Sequence, residues 1–343
     1  MKYARFYGIG DIRIEEGADL EPGDGEAILK VRAVGVCPTD VKAYYSGSSS
    51  IKVPIVLGHE VSGTILSSGT EQLNPGLKVN VAADCPCLEC GICRRGLVNM
   101  CPNMLSLGVN VPGGYAETMR IPSEFIEKGL VYPLTGGTGF VEGALIEPVA
   151  VSLHCLNLAD YASIENAAVI GDGPNALIHL QLLKRIKRVK NVTVIGLSEN
   201  RLKFATRFGA DHVVNISREK NFYSEMKKEQ IDLVDITIGN PEAAAESSHL
   251  LGKGTQILIF GGSMNDTQIP VSMNGVHYKQ LRVTGSTGTD LKSYSNALDL
   301  VKSGKIDLVD LITARFRLED LASALDYSRN LRGLKCAVEF PDG

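Results

Sequence analysis

Residues 167–186 read AAVIGDGPNALIHLQLLKRI. An apolar run gives way to a glycine-bearing turn, and apolar residues then recur at helical spacing, so the stretch predicts strand, tight turn and helix. The turn holds G-x-G-x-x-A at Gly171, Gly173 and Ala176. The first glycine can make the tight turn, and the second lets a pyrophosphate reach backbone N–H groups at the helix N-terminus. The small third residue lets helix pack on strand. Alone the pattern is weak. Flanked by strand and helix, and followed by the strand-like NVTVIG at 191–196, it predicts a dinucleotide site with Gly171, Gly173, Pro174, Asn175 and Ala176 as contacts. Strand–helix alternation continues through VDITIG (234–239), EAAAESSHLL (242–251) and TQILIFGG (255–262), which predicts an open parallel sheet covered by helices on both faces.

The coenzyme form turns on the end of the second strand, where NAD-binding chains usually carry an acidic residue for the ribose hydroxyls. Here the position is Gly196, followed by Leu197, Ser198, Glu199, Asn200 and Arg201. A missing carboxylate removes repulsion against a 2′-phosphate, and Ser198 and Arg201 could hold one. Position 196 therefore favours NADP, with NAD open because Glu199 could replace the lost carboxylate. Gly261 and Gly262 are further coenzyme candidates, read equally well as turn glycines ending a strand.

Residues 85–101, CPCLECGICRRGLVNMC, hold five of the chain's eight cysteines. Cys87, Cys90, Cys93 and Cys101 are spaced C-x2-C-x2-C-x7-C, and four thiolates from one loop can close tetrahedrally around Zn²⁺ with no open position. Such a site staples a loop and does no chemistry. Disulfides and an iron–sulfur cluster are the alternatives. Cys85 is the spare fifth thiol. Upstream, GVCPTD (35–40) and GHEVSG (58–63) each follow a strand-like run and supply Cys37, His59 and Glu60. Thiolate, imidazole and carboxylate with one position left open is a catalytic zinc arrangement, although each fragment alone reads as structural.

Taken with GGYAE (113–117), EPVAV (147–151) and GDGPNA (171–176), these motifs resemble the zinc-dependent medium-chain alcohol/polyol dehydrogenases, in the sorbitol-dehydrogenase-like branch. The resemblance covers essentially the whole chain. It implies a Rossmann-type doubly wound parallel sheet beside a discontinuous, mostly β, GroES-like catalytic domain. It also implies two zinc ions per subunit, with Cys37, His59 and Glu60 at the catalytic one and Glu147 approaching the metal or its water. The ethanol-oxidising branch carries Cys at the position of Glu147, so this chain leans toward polyols and sugars. Thr39 matches the family's hydroxyl that bonds the substrate oxygen and starts a proton relay; without the family it is a turn residue. Threonine dehydrogenases carry His where this chain has Lys42, which weakens that reading. Tyr44 and Tyr45 are candidates for the pocket or for packing.

The expected domains are 1–150 with 290–343 for the catalytic zinc unit, including the 85–101 lobe, and 151–289 for the dinucleotide unit. The expected reaction is hydride transfer between a secondary alcohol and NAD(P). Threonine-type or sugar-phosphate oxidation is the alternative, as is a non-catalytic NADP- and zinc-binding protein of the same fold. A net charge of −4 gives no electrostatic reason to expect nucleic acid or an anionic membrane as partner. No stretch is apolar for long enough to span a bilayer, and MKYARFYGIGDIRIEEG does not read as a signal peptide. The chain is expected in the cytoplasm, as a homodimer or homotetramer acting on a small-molecule substrate.

Overall fold

Strand Asn166–Ile170, the apolar run ahead of the glycine turn, lies inside a six-stranded sheet with all but its first residue buried. A strand covered on both faces reads as a continuous apolar run, and this is why NAAVI shows no alternation. Its neighbours are Asn191–Gly196 on one side and Ile231–Ile236 on the other, both parallel to it. The full order is His212–Asn215, Asn191–Gly196, Asn166–Ile170, Ile231–Ile236, Leu251–Ile259 and Arg282–Gly285, every pair parallel. In chain order this is 3-2-1-4-5-6, the doubly wound dinucleotide-binding topology, as the strand–helix alternation predicts. Ile170, Ile195, Val234, Ile236 and Ile257 belong to its core.

The computed structural model describes residues 1–219, 221–225, 231–263 and 268–341. Its contacts divide the chain into two units, Met1–Ala150 with Asp290–Gly343, and Val151–Thr289. Among the described residues no helix is long and apolar enough to cross a membrane.

The first unit is built on a seven-stranded sheet. Its path runs Val131–Pro133, Lys78–Val81, Glu60–Ser68, Ala27–Gly35, Lys335–Glu339 and Ile312–Phe316, with Thr118–Ile121 also on Ala27–Gly35. Pairing is antiparallel except between Ile312–Phe316 and Lys335–Glu339. The register brings three distant segments together. Gly35 pairs with Glu60 on one side and with Ala337 on the other, so the chain just before Cys37, the chain just after His59 and the C-terminal strand share one end of the sheet.

In the parallel-sheet unit, helix Pro174–Arg185 is fastened to strand Ile231–Ile236 by a polar contact. His179 Nδ1 lies 2.6 Å from Asp235 Oδ2, both side chains fully buried, and Phe260 meets the imidazole edge-on at 4.6 Å. Removing one member of a buried pair strands the other in low dielectric. His179→Ala is expected to cost about 3–5 kcal/mol in denaturant unfolding, with much of the loss recovered when Asp235→Leu is added.

Candidate active site

Helix Pro38–Ser46 begins at Cys37, which is extended (φ −91°, ψ 146°), with proline at the first helical position. Cys37 N–H donates to Asp40 Oδ2 at 3.3 Å, and Tyr115 O–H donates to the same oxygen at 2.9 Å. Asp40 is almost fully buried, and its Oδ1 stands 3.7 Å from His59 Nδ1. One carboxylate therefore steadies both the cysteine turn and the imidazole, as an outer-shell partner of metal ligands commonly does. Gly58, just before His59, is at φ +92°, where an L side chain would be strained.

The ligand atoms of Cys37, His59 and Glu60 all lie within 4.8 Å of one another, a separation at which three donors could hold a metal ion. Glu60 is nearly inaccessible. Its Oε1 accepts from Lys335 Nζ at 2.5 Å, while Oε2 is buried with no hydrogen-bond partner among the described residues. A Cβ on Gly35 would collide with that same Oε2, so the strand carries glycine where the carboxylate folds over it. Burial alone would lower the His59 pKa, but Cys37, Asp40 and Glu147 outweigh it and hold the imidazole well above its ordinary value. Negative groups crowded around a histidine, with a buried carboxylate oxygen left open, fit a bound cation.

Glu147, in helix Ile146–Leu156, stands outside that 4.8 Å set, although its charge acts on His59. Burial, reinforced by Glu60 and against the pull of His59 and Lys335, pushes its carboxyl up to about 7. A carboxyl whose folded value exceeds its unfolded one stabilises the fold below the unfolded value, and that contribution is lost as pH rises through the folded value. The zinc-free protein is therefore expected to lose thermal stability from about pH 5 to about pH 8, and Glu147→Gln to flatten that slope in a melting series. An unchanged slope would remove the titration from Glu147.

The remaining sequence-predicted residues in this region divide. Thr39 is exposed on the first turn of helix Pro38–Ser46, and Lys42 is exposed on the same helix. Tyr45 is packed rather than open, with Arg329 over its ring at 4.0 Å and its hydroxyl 3.5 Å from Asp326. Lys335 is a residue that the sequence reading misses. A lysine directly ahead of the apolar run Cys336-Ala337-Val338 was the available signal, since lysine is almost never buried without a partner.

The cysteine lobe lies between Asp84–Cys85 and Leu105–Ser106, which pair antiparallel. Sulfur atoms of Cys87, Cys90, Cys93 and Cys101 lie within 4.8 Å of one another, and all eight cysteines of the chain are unbridged. Cys93 N–H donates to Cys90 Sγ at 3.4 Å and Cys87 N–H to Cys101 Sγ at 3.3 Å, as a loop wrapped around thiolates requires. Backbone N–H groups of Glu89 and Cys90 draw the Cys87 thiol down to about 6, while desolvation pushes Cys93 up to about 12. Four thiols this close cannot all ionise without a cation among them, so the donor set fits zinc. Cys85 is buried and outside the set, its thiol raised by burial.

At the glycine turn Gly171 is at φ +129°, and a Cβ there would meet Thr237 Oγ1 at 2.5 Å. Gly173 caps helix Pro174–Arg185, with Pro174 at the first position and Ala176 buried below. A Cβ on Gly173 would meet only Arg201 Nη1, at 4.0 Å, so the approach to the helix N-terminus is open, as a pyrophosphate needs. Arg201 is itself buried, 3.5 Å from Asp172, rather than extended toward a phosphate as the sequence reading expects. A Cβ on Gly261 would collide with the backbone of Ile238, so packing alone requires glycine there, while Gly262 is unobstructed.

Comparison with known proteins agrees with this assembly. Residues 23–130 match the family profile "Alcohol dehydrogenase GroES-like domain", and residues 176–303 match "Zinc-binding dehydrogenase". Sorbitol dehydrogenase of Bombyx mori is 29% identical over 98% of this chain and 97% of its own. Among solved structures, galactitol-1-phosphate dehydrogenase from Escherichia coli has a TM-score of 0.87 at 26% identity, covering 99% of this chain and 100% of its own. An alcohol dehydrogenase from Escherichia coli CFT073, solved with NADH, has a TM-score of 0.89 at 25% identity over 99% of both chains. With a GroES-like unit and a parallel-sheet unit matched in turn, and relatives aligned along its whole length, the chain belongs to the zinc-type alcohol dehydrogenase family of oxidoreductases.

Proposed function

We propose that this chain transfers a hydride between a secondary hydroxyl of a small polyol or sugar and a nicotinamide coenzyme. Cys37, His59 and Glu60 would hold a catalytic zinc, and Cys87, Cys90, Cys93 and Cys101 a structural one. The observation that carries the reading is the buried, unpartnered Oε2 of Glu60 beside the cysteine and imidazole, in a chain that also builds a dinucleotide-binding sheet. When bound, zinc supplies Lewis acidity to the reacting oxygen and the nicotinamide supplies or accepts the hydride. The chain's own residues do the rest. Asp40 orients the Cys37 turn and faces His59, Lys335 holds one oxygen of Glu60, and Thr39, an exposed residue two positions past Cys37, would pass the proton to solvent.

The substrate class is supported by sorbitol and galactitol-1-phosphate dehydrogenases among the relatives, and by a carboxylate at position 147. Eight unbridged thiols support a reducing, cytoplasmic setting, and the family resemblance supports a homodimer or homotetramer, which light scattering would measure. The test of function is coenzyme reduction at about 340 nm, with NAD⁺ and NADP⁺ in parallel and zinc measured on the same sample. The panel holds polyols, aldoses, inositols, threonine, simple secondary alcohols and polyol phosphates. Zinc-dependent turnover of a polyol is the expected result. Silence across the panel with both zinc sites filled and coenzyme bound would overturn it in favour of a non-catalytic binder.

A further inference from the structure

Position 196 looks empty in the sequence, but its side-chain space is filled in the fold. A Cβ built on Gly196 would stand 2.6 Å from Cβ of Asp172, 2.9 Å from its Cγ and 2.8 Å from its Oδ2. Asp172 is the middle residue of Gly171-Asp172-Gly173. Its side chain crosses from the glycine turn to the end of strand Asn191–Gly196 and sets a carboxylate in the volume a residue-196 side chain would use.

The placement is held at several points. Oδ2 accepts from the backbone N–H of Leu197 at 2.9 Å and of Ser198 at 2.7 Å, and Oδ1 lies 3.5 Å from Arg201 Nη1. Arg201 is 6% exposed, so the cation offered by the sequence to a 2′-phosphate already faces a carboxylate. The pair sums to no net charge. A carboxylate has about four acceptor sites, and the two amides occupy those of one oxygen, so Oδ1 keeps acceptor capacity beyond its contact with Arg201. The side chain of Asp172 is 13% exposed, which leaves an edge for a ligand hydroxyl to reach.

We infer that Asp172 is the coenzyme-selecting residue: from the glycine turn it accepts from the adenosine ribose hydroxyls and repels a 2′-phosphate, so the chain prefers NAD(H) to NADP(H). The inference rests on the dehydrogenase reading above and reverses the expectation drawn from Gly196 alone. It explains the glycine as well. Residues 172 and 196 compete for one volume, and a chain that delivers its carboxylate from the turn must leave the strand end bare. A phosphate ester at that edge would bring about two negative charges against a part-buried carboxylate, while a free ribose hydroxyl donates to it.

The test is calorimetric titration of the zinc-loaded, full-length protein with NADH and NADPH, and with 5′-AMP and adenosine 2′,5′-bisphosphate as adenosine-half probes. The chain has no tryptophan to report binding by energy transfer, so heat is the direct readout. The wild type is expected to bind NADH about tenfold or more tighter than NADPH, with the same order for the two probes. Asp172→Asn keeps the shape and an acceptor toward the amides but removes the charge, and should bring the ratio to within about threefold. Asp172→Gly with Gly196→Asp clears the Cβ of residue 172, moves the carboxylate to the strand end and should restore the preference, whereas Gly196→Asp alone should weaken both coenzymes by crowding Asp172. If Asp172→Asn does not fold, the double variant carries the test. NADPH bound as tightly as NADH by the wild type, or a ratio unmoved in Asp172→Asn, overturns the inference and leaves the dehydrogenase reading intact. Failure to bind either coenzyme overturns both.

Discussion

Cys37→Ser is expected to lower kcat/KM by about 10³-fold or more while moving Tm little, and Cys90→Ser to lower Tm strongly. Lewis acidity at the reacting oxygen contributes several kcal/mol to the transition state, and each 1.4 kcal/mol is about tenfold in rate. Serine at position 37 removes the thiolate yet preserves the start of helix Pro38–Ser46, because serine is among the best N-cap residues. The surrounding structure is held by Asp40 with Tyr115 and by Glu60 with Lys335, contacts made wholly within the protein. The cysteine lobe differs. Between Cys87 and Cys101 it has a helix of four residues, Gly91–Arg94, and a short 3-10 turn, Val98–Met100, and its buried side chains are Cys93 and Cys101 themselves. With so little apolar core, the metal is its folding energy, and loss of one ligand of four should cost several kcal/mol. Zinc per chain, Tm and kcat/KM on both variants check the division. Equal losses of activity with unchanged melting in both would falsify it.

Residues close in sequence were the legible ones. The glycine turn and the cysteine loop each carry their chemistry within about 20 residues, so type and spacing speak directly. Cys37 and His59 are farther apart. They meet because Ala27–Gly35 and Glu60–Ser68 pair in a register that places Gly35 opposite Glu60, and only family resemblance joined them beforehand. Asp172 shows a different limit. Reading position 196 by itself finds a missing carboxylate, whereas side-chain direction supplies one from a neighbouring turn. The His179–Asp235 pair escaped for the same reason, since a histidine on an apolar helix face and an aspartate in a buried strand each look like exceptions until the fold joins them.

Lys335 carries the other large expected effect. It lies in the last strand, 4% exposed, and its ammonium reaches Glu60 across 275 residues of chain. Burial works to discharge it, but the charges of Glu60 and Cys37 prevail and hold its pKa above the ordinary lysine value. Lys335→Met fills similar space without the charge. In the zinc-free protein it leaves the Glu60 carboxylate buried with neither oxygen paired, which should cost about 3–5 kcal/mol in denaturant unfolding. Lys335→Met with Glu60→Gln should recover part of that loss, because no stranded charge remains. Zinc should narrow the gap to wild type, since a cation at Cys37, His59 and Glu60 gives the carboxylate a partner in place of the lysine. A variant with lost stability in the zinc-free form, recovered on adding zinc, would place Lys335 as the residue that holds Glu60 ready for the metal. Equal destabilisation with and without zinc would instead make Lys335 a packing residue of the sheet end and detach it from the site.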